Sequence, residues 1–134
     1  MSDQILVARA KADIGAKPYE VAIKAGHHEL IADEPPAIGG QDAGPAPFAL
    51  LLSALGACTA ITLRMYAERK QWPLETAHIE LRYLKQGDSA SINRRLALVG
   101  GLTADQRERL ADIAERTPVT LALKEGVPIQ TTLV

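Results

Sequence analysis

A chain of 134 residues suffices for one compact domain and leaves no room for two ordinary ones. With 47% hydrophobic and 23% charged residues wholesale disorder is excluded, and a net charge of -1, its signs mixed along the chain, gives no footprint for nucleic acid or an anionic membrane surface. One cysteine excludes an intrachain disulfide, and the opening MSDQILVARAKAD is charged too early for a secretory leader, so the expected compartment is the cytoplasm.

In chain order, Gln4 to Lys11 and Tyr19 to Lys24 read as short strands, with turn formers at Gly15 and Pro18 between them. Ala25 to His28 (AGHH) reads as a hairpin turn, followed by a brief strand from Glu29 to Ala32. A loop rich in Pro and Gly, DEPPAIGGQDAGPAP, leads to Pro47, which is well placed to open a helix. That helix is predicted to run to Lys70 and to end before Trp72-Pro73, a length of roughly 36 Å at 1.5 Å per residue. Residues 43–63 carry no charge, but Gly, Pro, Ser and Thr dilute the run, so a helix buried in a soluble fold is expected rather than a membrane span.

Ala77 to Tyr83 alternates apolar and polar residues as a half-buried strand, and Gly87-Asp88-Ser89 turns the chain into a returning strand over Arg95 to Val99. Thr103 and Gln106 form a capping box for a helix over Ala104 to Glu115. Thr117 before Pro118 marks a further N-cap, predicting a short helix to Lys124 that stops near Gly126. Val127 to Leu133 reads as a closing strand. The order β-β-β-α-β-β-α-α-β segregates strands from helices, which predicts an α+β fold.

On a helical wheel the long helix places Ser53, Gly56, Ala57 and Ala60 on one side as a small-residue stripe, which leaves two readings open, close approach by another backbone or small residues packed by default. Leu51, Leu55, Cys58, Thr62 and Met65 fall opposite, so two buried faces are expected. Spacing alone leaves Cys58 open to two readings, a small residue packed in the core or a reactive thiol. Cys58 lies about three turns from the start of its own helix, too deep for that helix's dipole to activate it, so activation would need a cation from elsewhere. His27, His28 and His78 lack metal-ligand spacing, and Gly39-Gly40 and Gly100-Gly101 complete no phosphate loop, so neither a metal nor a cofactor is expected.

The run LIADEPPAIGGQDAGPAPFALLLSALGACTAITLRMYAERKQWPLE closely resembles the OsmC/Ohr family of osmotically inducible and organic hydroperoxide resistance proteins, in its OsmC-like branch. RRLALVGGLTADQRERLADIAERTPV resembles the second half of the same family. The resemblance implies an OsmC-like α+β fold in which two chains interlace as a homodimer around long central helices, with active sites at the interface. It implies that Cys58 is the peroxidatic cysteine, whose thiolate attacks an organic hydroperoxide and becomes a sulfenic acid. In the family a second cysteine, opening a CPV stretch, resolves that acid; this chain has Thr117-Pro118-Val119 there. The family glutamate expected just after the proline of the long helix is replaced by Phe48 and Ala49. The family's thiolate-stabilising arginine, from the N-terminal sheet, has no matching motif, although Arg9, Lys11 and Lys17 are cations of that region.

The expectation is a single domain over 1–134, related to thiol-dependent hydroperoxide reductases. Its catalytic residue would be Cys58, its pocket lined by Leu51, Leu55, Thr62, Met65 and Phe48, and Phe48, Ala49 and Thr117 would stand at degenerate family positions. Its partners would be a second copy, a small organic hydroperoxide and an external thiol reductant. The alternative is a non-catalytic dimeric module that holds a small apolar ligand in the former peroxidase pocket.

Overall fold

Backbone pairing in the computed structural model, which describes residues 3–134, gives a three-stranded and a two-stranded antiparallel sheet with three α-helices. Met1 and Ser2, part of the segment read for a leader, lie outside the described residues. The chain forms two compact units, Met1–Leu50 and Leu51–Val134.

The first unit is a meander of β1 (Ala10–Ile14), β2 (Val21–Ala25) and β3 (His28–Ala32) in that order. β1 starts six residues later than Gln4. Its register is set by β2, which ends at Ala25 opposite Ala10, so the apolar run Ile5, Leu6 and Val7 overshoots the ladder and stays exposed. The β2–β3 turn matches AGHH, with Gly26 at φ 61° supplying the left-handed conformation.

After β3 the Pro- and Gly-rich loop contains a single 3-10 turn at Pro36–Ile38 and is otherwise organised by one side chain. The buried Asp33 carboxylate accepts from the backbone amides of Glu34 (2.7 Å), Gln41 (3.1 Å) and Ala43 (3.1 Å). Those amides, Ala43 first, hold its pKa below the ordinary carboxylate range. Gly44 completes the loop by close approach: a Cβ there would lie 2.0 Å from the Ile31 carbonyl oxygen.

α1 runs Pro47–Lys70, as the sequence predicts. Its buried residues are Leu55, Thr59, Leu63 and Ala67, a single i, i+4 row, which corrects the expected pair of buried faces. Ser53 and Ala57 are exposed, as is Met65. Gly56 does face a close neighbour, but that neighbour is a side chain rather than a backbone: a Cβ there would lie 2.9 Å from Leu81 Cδ1.

β4 (Leu74–Gln86) and β5 (Ser89–Gly100) make one long hairpin across a turn at Gly87-Asp88, extending both predicted strands. α2 (Ala104–Ala114) begins with the full reciprocal capping box of Thr103 and Gln106. α3 (Pro118–Glu125) begins at Thr117, whose side chain accepts from the Thr120 amide. Leu63, Ala67, Leu74, Leu110 and Ala114 form the buried apolar cluster, with Trp72, Leu96 and Leu98 packed around it. The predicted closing strand is not formed among the described residues. Residues 127–134 are irregular and Ile129 is 88% exposed, because alternating β-formers become a strand only against a ladder partner.

Candidate thiol site

α1 carries Cys58 half-buried on the turn after Leu55, next to the fully buried Thr59. The Val119 amide donates to Cys58 Sγ at 3.5 Å. Val119 is the second residue of α3, so the thiol faces the amino end of a helix that is distant in sequence. The amino end of a helix favours negative charge on what it faces. Cys58 is indeed deep in its own helix, but tertiary packing brings it to the start of another.

Thr117 supports that arrangement. It is fully buried, its Oγ1 accepts from the Thr120 amide at 3.3 Å, and the Thr117 and Thr120 hydroxyls are 2.7 Å apart. The residue standing where the family's second cysteine is expected therefore caps α3.

Arg94 of β5 binds the surrounding elements together. Its Nη1 donates to Thr59 Oγ1 (3.0 Å) on α1 and to Thr120 Oγ1 (2.8 Å) on α3. Its Nη2 donates to the Ala114 carbonyl (2.8 Å) at the end of α2 and to the Glu115 carboxylate (3.1 Å). Thr59 in turn donates to the Leu55 carbonyl at 2.7 Å, so its hydroxyl is satisfied in both directions. The Arg94 side chain is only 11% exposed, and its charge at the carboxyl end of α2 has the sign that end favours. Lys124 also donates to Glu115, at 3.0 Å, and this bond, followed by that of Arg94, pulls the Glu115 pKa below its ordinary value.

An open cavity of about 490 Å³ adjoins this network, lined by Leu51, Leu55, Ile92 and Leu123 with Arg94 and Lys124. Leu51 and Leu55 thus share one cavity. Met65 lines a separate hollow with Ile61 and Arg64, because the helix has turned that position away by the next two turns. Thr62 is half-buried, and Phe48, in the first unit, is 56% exposed. Arg9, Lys11 and Lys17 belong to the first unit as well. Arg94 is the residue that sequence reading missed. The signal was the strand alternation, which continues inward through Ile92, Arg94, Leu96 and Leu98 once β5 is started before Arg95.

The family model described as OsmC-like protein matches residues 39–132, well over half of the chain. The chain belongs to the OsmC-like family. No curated protein matches this OsmC-like chain in sequence. Among solved structures, an OsmC-like protein from Mycoplasma pneumoniae is 16% identical with a TM-score of 0.76, covering 92% of this chain and 89% of its own. An organic hydroperoxide resistance protein OsmC from Legionella pneumophila is 20% identical, with a TM-score of 0.69 and coverage of 91% and 92%. An organic hydroperoxide resistance protein from Elizabethkingia anophelis is 17% identical, with a TM-score of 0.62 and coverage of 92% and 91%. The shared architecture is the OsmC-like α+β fold.

Proposed function

We propose that this OsmC-like protein is a thiol-dependent reductase of organic hydroperoxides that works with Cys58 and no resolving cysteine of its own. The observation that carries the reading is the Val119 amide aimed at Cys58 Sγ from the amino end of α3, a donor within hydrogen-bond reach of the sulfur. The Cys58 thiolate attacks the terminal peroxide oxygen, the O–O bond breaks, and the alkoxide takes a proton and leaves as an alcohol. Sulfur is oxidised to sulfenic acid. An external dithiol then attacks that sulfur: water leaves, a mixed disulfide forms, and the dithiol's second sulfur releases Cys58 as the reductant closes its own disulfide.

The working form in this proposal is a homodimer in the cytoplasm. α1 is long and apolar enough to cross a membrane by length and composition, and it leaves Phe48, Ile61 and Met65 exposed. Membership of a globular family favours a second copy as the cover for that surface rather than lipid. Sedimentation as a monomer at working concentration would remove this part of the reading.

Reduced protein mixed with cumene hydroperoxide and dihydrolipoamide is expected to consume peroxide catalytically, and Cys58→Ser protein is expected to lose that activity. Equal peroxide loss with the two proteins overturns the enzymatic reading. The cavity of about 490 Å³, whose lining does not include Cys58, favours the second reading, a module that retains a small apolar ligand. A ligand carried through purification and seen by native mass spectrometry, with no peroxide turnover, would decide for it.

A further inference from the structure

We propose that Arg94 is a positioning residue for the thiol: it holds α3 against α1 so that the Val119 amide stays aimed at Cys58 Sγ. This rests on the reading of Cys58 as a working thiolate. The alignment of the amide depends on two residues 61 apart in sequence, on helices that no disulfide links. Arg94 grips each helix one residue from the contact. Thr59, which accepts from Nη1, follows Cys58, and Thr120, which accepts from the same nitrogen, follows Val119.

The other guanidinium nitrogen fixes the end of α2, at the Ala114 carbonyl and the Glu115 carboxylate, just before the Thr117 cap that starts α3. One planar, permanently charged group therefore sets the relative placement of three helices at the sulfur, which a lysine with a single nitrogen could not do. The charged groups around it are Glu115 and Lys124, and they form an ion pair with each other as well.

Iodoacetamide alkylation of Cys58 in the native protein tests this without any peroxide, so a failure of hydroperoxide turnover leaves the test intact. Arg94→Met should slow alkylation at pH 7 by about 5-fold or more, and leave the rate at pH 10 within about 2-fold. Thr59→Val and Thr120→Val each remove one grip and should slow the pH 7 reaction in the same way to a smaller extent. Far-UV circular dichroism and gel filtration establish which variants fold; if Arg94→Met does not, the two threonine variants decide. Unchanged rates at both pH values, equal slowing at both, or acceleration at both would overturn the proposal, because each would mean that Arg94 governs access or nothing at all.

Discussion

Around Leu63 and Leu110 the second unit is held by apolar contact, with both side chains fully buried and leucine and alanine neighbours on every helix that takes part. One turn earlier along α1, around Thr59, the same helix face meets a guanidinium, two buried threonines and a carbonyl. The first region tolerates any side chain of suitable size and shape, since dispersion and burial are non-directional. The second works only at fixed angles, because each buried donor needs its acceptor. The thiol stands beside the second. The amide–sulfur contact lies among directional bonds, which fix orientation in a way a dry core does not.

That contrast can be broken at either end. Leu110→Ala should have the largest effect, a loss of about 3 kcal/mol in denaturant unfolding, from lost burial and the cavity left behind. A loss below about 1 kcal/mol would mean that the apolar end does not dominate stability. Thr117→Ala removes the α3 cap and should cost about 1 kcal/mol, with α2 unaffected, as judged by amide exchange of α3 against α2.

The smallest effect belongs to the rim of the polar region. Lys124 and Arg94 lower the Glu115 pKa in the folded chain, so the carboxylate's contribution is present above its unfolded pKa and disappears as pH falls through the folded value. Melting temperatures of wild-type and Glu115→Gln protein should therefore differ slightly at neutral pH and converge in acid. A difference that grows on acidification would contradict the assigned ion pairs.

Local signals were the legible part of the chain. Pro47, the Thr103–Gln106 box and Thr117-Pro118 announce their helices within a few residues, because caps satisfy backbone groups nearby. The full span of β4 and β5 was hidden, since Lys85 pairs with Ala90 and Gln86 with Ser89 through backbone bonds that side-chain alternation does not report. Cys58 could be singled out from its family block, but its amide partner could not, as nothing near Cys58 encodes Val119. The inward phase of Arg94 could be followed from the strand alternation, but its acceptors could not, since they lie on three other elements.

Both sheets are made by chain neighbours, β1 with β2, β2 with β3 and β4 with β5, each across a short connection. Such pairings close small loops and form fast. The Val119–Cys58 contact closes a span of 61 residues. On a ribosome adding residues from the amino end, the thiol is made long before the helix that faces it. During that interval Cys58 is an ordinary cysteine on an apolar segment. The amide–sulfur contact thus forms only after α3 has been made and has docked against α1.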